Sequence, residues 1–446
     1  MRKNNILLLV LFFALFVTIF SCKKSSTTTT TTVTANVFSG SIYIYSSGND
    51  TTLQRFLDGK YDTLYGSLVL SSSDAIDYKK YFANLVRVVG SVTLYKVPNK
   101  DLSFLSTVRS VSGSFQISAC PEITNFSGLT ALDSIVSSIV VERNPKFKDF
   151  TGLEQLKTIG SLSVTANPLL SSFAGLQNVK TMTGTLGVYQ NPVLQNMTGF
   201  AVLDSIGGDL NVNGNPKFTG FTGLSKLTAL EGTLSLTSLP QMASLTTLSS
   251  VNDTVKSISI IDCNGLTNLT GLDNVPCVLH DVSLVACNNL QNLTGLSKLD
   301  TIKGVVELNG LPSLSSFTGL NNVKYIRKDV RISQCNSLTS MTGFAQLDSI
   351  GGNLVIKDNA GLLNFNGFSK TRAITGKVEI LENGALNSLD GLENLRNMRS
   401  TLDIYYNPNL SGYCAIKELT LTGLAYISQN KYSPSWAQIK AGQCSK

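Results

Sequence analysis

The stretch Gly160-Ser161-Leu162-Ser163-Val164-Thr165-Ala166-Asn167-Pro168 returns as Gly184-Thr185-Leu186-Gly187-Val188-Tyr189-Gln190-Asn191-Pro192, and again as Gly208-Asp209-Leu210-Asn211-Val212-Asn213-Gly214-Asn215-Pro216, so that each position recurs at every twenty-fourth residue. The equivalents of Leu162 are Leu68, Val92, Phe115, Ile139, Leu186, Leu210, Leu234, Ile258, Val282, Val306, Val330, Leu354, Val378 and Leu402. Every one of them is apolar. Two residues on, the series that runs from Leu70 through Val164 and Val188 to Ile404 is aliphatic throughout. Apolar residues alternating with polar neighbours predict one short strand per repeat, with one face buried.

After the strand the spacing changes to steps of three, as in Leu170, Phe173, Leu176, Val179 and Met182. That step suits tight turns or 3₁₀-like segments better than an extended chain. A glycine precedes most Leu176-type positions (Gly128, Gly152, Gly175, Gly199 and later copies up to Gly391), which predicts positive φ or a close approach of two backbones. No single repeat can bury its own apolar face, so the strands are expected to stack in parallel around one continuous core. At about 4.8 Å per strand, the stack would be a rod of roughly 70 Å.

The pattern L-x-x-I-x-G-x-L-x-V-x-x-N-P-x-L-x-x-F-x-G-L resembles the leucine-rich repeat superfamily, and within it the receptor L-domain type found in receptor ectodomains and microbial surface proteins. The resemblance covers residues 66–412. It implies a mainly β fold: a right-handed parallel β-solenoid of about 15 rungs of about 24 residues, with amino- and carboxy-terminal caps. Its marker is an asparagine column, Asn144, Asn167, Asn191, Asn215, Asn359, Asn383 and Asn407, in which the family stacks side-chain amides against turn backbone. Cysteine is the family's accepted substitute, and Cys120, Cys263, Cys287 and Cys335 stand at equivalent places. Val97, Leu239 and Leu311 depart from the pattern and put the local turn geometry in question at three rungs.

Those four cysteines read as small buried residues, although Cys263 and Cys287 occupy neighbouring rungs and could bridge. Cys277 follows Pro276 and has no evident partner. Cys414 and Cys444 lie past the last rung, and residues 413–446 are expected to form a cap closed by a disulfide between them.

Residues 1–21 combine a basic start, Arg2-Lys3, with an apolar run ending at Phe20-Ser21, the layout of a secretory signal. With Cys22 directly after it, the segment resembles a bacterial lipoprotein signal. That resemblance implies an acylated Cys22, a membrane anchor, and a place in the bacterial envelope as an outer-membrane lipoprotein. Residues 22–36, with six consecutive threonines from Thr27 to Thr32, read as a flexible tether. Residues 37–65 are irregular and are expected to be an amino-terminal cap.

Formal charge falls from +7 to +5 when Arg2 and Lys3 leave with the signal, and no basic stripe appears, which argues against a nucleic-acid partner. Catalysis finds little support. The single histidine, His280, replaces a glycine at the start of a rung, and Glu379 with Asp403 is the nearest thing to an acid/base pair. Neither a cofactor nor a metal is implied. The outward columns are rich in Ser and Thr in the first half (Ser67, Ser91, Ser161, Thr185) but too uneven for an ordered-water surface. In the second half they carry Asp281, Glu307, Asp329, Arg331, Lys357, Lys377, Glu379, Asp403 and Tyr405, the candidate contacts for a protein or glycan ligand. The function expected is therefore non-catalytic adhesion or recognition. The alternatives are a polysaccharide-acting solenoid enzyme and a purely structural envelope protein. Triplets such as Asp204-Ser205-Ile206 and Asp348-Ser349-Ile350 resemble an O-glycosylation acceptor, or are turns in which aspartate precedes a buried isoleucine.

Overall fold

Parallel pairing at a fixed offset governs the architecture. In the computed structural model, which describes residues 35–45 and 51–446, the strand Leu186–Tyr189 lies beside Leu210–Asn213 with Leu186 opposite Leu210 and Val188 opposite Val212. The signal segment, Cys22 and nearly all of the tether lie outside the described residues. The chain forms a mainly β parallel solenoid of about 16 turns of about 24 residues, with 7% helix. Because the offset equals the repeat, identical positions stack: Leu162, Leu186 and Leu210 form one buried column and Val164, Val188 and Val212 another. Each such side chain contributes about 1.5–3 kcal/mol on burial.

A second, shorter ribbon runs along the coil with two residues per turn, as where Thr181–Met182 pairs with Ser205–Ile206. The strands Ser134–Glu142 and Thr158–Thr165 are long enough to serve both ribbons. From Cys277–Val278 to Thr420–Leu421 the short ribbon is a separate sheet of seven strands. Between the two parts, at Val255, it is reduced to a single bridge with Val278. The Asp-Ser-Ile triplets fall at its start. At Asp204 the carboxylate accepts the Thr228 hydroxyl at 2.7 Å, a bond in keeping with the turn reading.

The remaining side of each coil is a series of three-residue turns, as the step of three implied. The Leu170, Leu176 and Val179 amides donate to the carbonyls of Asn167, Phe173 and Leu176 at 3.1–3.2 Å. Phenylalanines stack here from turn to turn, with ring centroids 5.6 Å apart for Phe150 and Phe173 and 4.9 Å for Phe173 and Phe200. The glycine column meets both of its expected demands. Gly175 has φ +103°, and a Cβ there would run into the carbonyl oxygen of Phe150 in the preceding coil. Three coils that lack this glycine form short 3₁₀ helices instead, at Ser103–Leu105, Thr246–Leu248 and Cys414–Ile416.

Both ends differ from the boundaries expected. Val37–Ser39 and Ile42–Ile44 pair in parallel with Thr63–Tyr65 and Leu68–Leu70, so the segment 37–65 supplies a further rung as well as a closing helix, Thr51–Gly59, which buries Leu53 and Phe56. Ile42 and its partner Leu68 stand further apart along the chain than one repeat, which hides this rung from a strictly periodic reading. At the other end Ala425–Ser428 pairs with Leu402–Tyr405, so the segment 413–446 begins with a rung before it becomes a cap. The Cys414–Cys444 disulfide closes that cap, the helix Trp436–Lys440 starts on a Ser435/Gln438 capping box, and the buried Tyr413 donates its hydroxyl to the Tyr432 carbonyl at 2.7 Å.

Gly175→Ala is expected to lower the unfolding free energy by about 3 kcal/mol, from strain and overlap together. Gly214→Ala, at φ +66° with its nearest neighbour 3.5 Å away, is expected to cost about 1 kcal/mol or less. Urea unfolding followed by circular dichroism checks both, and equal costs would contradict this reading of the glycine column.

Candidate functional site

Two internal ladders decide which side chains are left for a ligand. The first begins at a corner just after each strand. There one residue per coil, from Lys96 onward, adopts a left-handed conformation, for example Ala166 at φ 55° and Gln190 at φ 56°. The next residue turns inward. Asn191 donates through Nδ2 to the Val164 carbonyl of the preceding coil (3.1 Å) and to its own Tyr189 carbonyl (2.9 Å), while its Oδ1 accepts the Asn167 amide at 3.0 Å. The series Cys335, Asn359, Asn383, Asn407 repeats the amide-to-Oδ1 bonds and continues to Asn430, whose Oδ1 accepts the Asn407 amide at 2.9 Å. Asn430 follows Asn407 by 23 residues, which removed it from the sequence pattern.

Cysteine does the same work with one weak donor. Cys120 Sγ lies 3.6 Å from the Leu94 carbonyl and 3.5 Å from its own Ser118 carbonyl, and Cys335 repeats the contact with Leu308 and Ser333. Burial pushes the Cys120 thiol up to about 11 and those of Cys263 and Cys335 up to about 12, so they stay protonated and able to donate. Cys263 and Cys287 are free, as are Cys120, Cys335 and the half-buried Cys277. The apolar departures keep the corner intact. The residues before Val97, Leu239 and Leu311 are Lys96, Ser238 and Gly310, all left-handed at φ 51–65°.

The second ladder was not visible as such in the sequence. In the column just before the strand, many side-chain oxygens accept the backbone amide of the equivalent residue in the next coil. Ser67 accepts from Ser91, Ser161 from Thr185, Thr185 from Asp209, and Asp209 from Thr233, at 2.8–3.2 Å. Asp281 accepts from Val305 at 2.7 Å, and Asp329 from Asn353 and Asn353 from Lys377 at 2.8 Å each. Thus Asp281 and Asp329, read from sequence as ligand contacts, each have one oxygen committed to joining coils. The available signal was the frequency of short side-chain acceptors in that column, interrupted at Val305 and Lys377.

What remains is an outward face ordered by strand register. Glu307, Arg331, Glu379 and Asp403 share one column with Ser283, Val355 and Tyr426, while Lys357 and Tyr405 share the column two residues along. Charges gather in small groups. Arg331 pairs with Asp329, Lys357 lies 3.7 Å from Glu382, and Glu307 accepts the Ser283 hydroxyl at 3.1 Å. The tightest group is Lys377, whose ammonium meets Glu379 at 2.7 Å and Asp403 at 2.5 Å. Its hydrogen bonds to Asp403, then to Glu379, raise its pKa and hold its charge. Burial, and secondarily the Asp403 carboxylate, raise the Tyr405 phenol. The sequence reading missed Tyr426, which continues the Asp403 column with 46% of its surface exposed. It also missed Tyr43 and Tyr45, stacked 6.2 Å apart at the opposite end.

No family model matches this chain, and no curated protein matches it. Among solved structures, it is similar to the functional domain of InlJ from Listeria monocytogenes, which includes a cysteine ladder, at 14% identity over 74% of this chain and 71% of that one, with a TM-score of 0.29. It is also similar to TLR13 in the TLR13–ssRNA13 complex, at 14% identity over 81% of this chain and 58% of that one, with a TM-score of 0.31. Superpositions this loose do not bear on what the present chain binds.

Proposed function

We propose that the chain is a non-catalytic cell-envelope lipoprotein that presents the strand face of its solenoid for adhesion or for recognition of a protein or glycan ligand. The observation that carries this reading is the division of labour between columns. Inward residues and both ladders are fixed by packing and bonding, whereas the carboxy-terminal half of the face sets charged and tyrosine side chains in register over adjacent strands. Tyrosine and arginine supply much of the energy in protein recognition, and a flat multi-strand face offers contacts along its length.

A non-catalytic role is favoured by the state of Glu379 and Asp403. Both carboxylates are engaged by one ammonium, that of Lys377, whereas acid/base hydrolysis sets two carboxyl groups on opposite sides of a substrate. Anchoring rests on the signal-like segment and Cys22. Two or more acyl chains on that cysteine would hold the protein stably, since one is marginal.

Binding arrays of proteins and glycans are expected to yield a ligand for the wild-type chain that the variant Arg331→Ser/Lys357→Ser/Lys377→Ser binds at least tenfold more weakly. Ligands bound equally by both proteins would move the site off this part of the face. Cys22→Ser is expected to shift the protein from the membrane to the soluble fraction of its host. Retention in the membrane would remove the anchor.

A further inference from the structure

The last three strands of the face carry a group unlike the rest of it. Asp403 is only 7% exposed although it stands in an outward column. One of its oxygens, Oδ2, meets the Lys377 ammonium. The other, Oδ1, is buried and accepts no well-formed hydrogen bond from any described residue. Buried acceptors left without a well-formed hydrogen bond are uncommon and costly, and this carboxylate lies beside the half-buried Tyr405 phenol and near the exposed Tyr426. Tyr426 is beside Asp403 in the same column, and Tyr405 is two residues along the same strand.

We propose that Lys377, Glu379, Asp403, Tyr405 and Tyr426 form a binding subsite for a neutral saccharide. The Tyr405 phenol turns aside, one sugar hydroxyl takes its place and donates to Asp403 Oδ1, an adjacent hydroxyl accepts from Lys377, and the C–H face of the ring lies against Tyr426. This deepens the strand-face reading above and rests on it.

The chemistry of the group selects this ligand class over charged ones. An ammonium has three donors, and Glu379 and Asp403 engage two of those of Lys377, leaving one for an incoming acceptor. Each hydroxyl both donates and accepts, so a vicinal pair matches a free acceptor next to a free donor. A basic side chain would have to share the same carboxylates with Lys377, placing two cations within a few ångströms of each other. An anionic ligand would meet two carboxylates for one ammonium. The phenol rings add apolar area with few rotatable bonds to immobilise.

The test titrates the full chain with glucose-, mannose- and galactose-based hexaoses, and with hexa-arginine as the cationic probe, read by calorimetry and saturation-transfer NMR. At least one hexaose is expected to bind. Tyr426→Ala, on the terminal strand, and Asp403→Asn are each expected to weaken that binding at least tenfold, with circular dichroism unchanged. Thr93→Ala, at the far end of the same face, is expected to leave it unaltered. The proposal is overturned by a folded wild-type chain that binds none of the hexaoses, by hexaose binding indifferent to Tyr426→Ala, or by hexa-arginine binding more tightly than every hexaose. If no hexaose binds but a protein ligand is lost in the Arg331/Lys357/Lys377 variant, the saccharide subsite falls and recognition by the face stands. If neither kind of ligand depends on the face, both fall.

Discussion

Every coil of this solenoid turns a corner directly after its strand, and the backbone groups exposed by that corner have no partner within the coil. In the coils that carry asparagine or cysteine there, the ladder side chain supplies one. Asn383 donates to the carbonyls of Ile356 in the preceding coil and Leu381 in its own, and accepts the Asn359 amide. Leaving such groups buried and unbonded would cost about 1–3 kcal/mol apiece. Because the bonds run between coils, a coil is satisfied only when stacked, and stacking in turn fixes the offset that aligns the core and the outward columns.

The ladder is not uniform along the rod. Amides occupy it from Asn144 to Asn215 and again from Asn359 to Asn430, while the stretch between holds Leu239, Cys263, Cys287, Leu311 and Cys335. A thiol is one weak donor where an amide offers two stronger donors and an acceptor. The short ribbon breaks within the same stretch, at Val255. Stability in a stacked array is a sum of local terms, so this middle block, like the rungs of Val97 and Cys120, lacks a contribution that the asparagine rungs have.

Most of the architecture was legible because it rests on periodicity. The Leu162 and Val164 columns gave the strand, the step of three gave the turns, and Gly175 with its equivalents marked both a positive φ and a crossing of backbones. The ends were hidden by small changes of step: Ile42 and Leu68 stand further apart than one repeat, whereas Ala425 and Asn430 follow Leu402 and Asn407 at a step slightly short of it. The left-handed corner was hidden for another reason. Arg143, Gln190 and Glu382 carry no signature of that conformation, which accompanies the ladder bonds of the asparagines beside them. The site was the least legible part. Alternation shows that Ser67 and Asp281 point outward, but it cannot show that their oxygens reach the next coil's amide. Nor could it show that Asp403 would be covered while Tyr426 stayed exposed.

Where the ladder residue is an amide, its bonds tie each corner to both neighbouring coils; where it is Val97, Leu239 or Leu311, the same corner is held by packing and backbone bonds. The decisive comparison is Asn383→Ala against Asn383→Cys, by urea unfolding and by hydrogen exchange at the Asn359 amide. Alanine is expected to cost about 3 kcal/mol and to speed exchange at Asn359, whose acceptor it removes, while cysteine, which keeps a weak donor to the same carbonyls, is expected to cost clearly less. Equal losses for the two substitutions, or an alanine variant as stable as the wild type, would show that the corners are held by something other than these bonds.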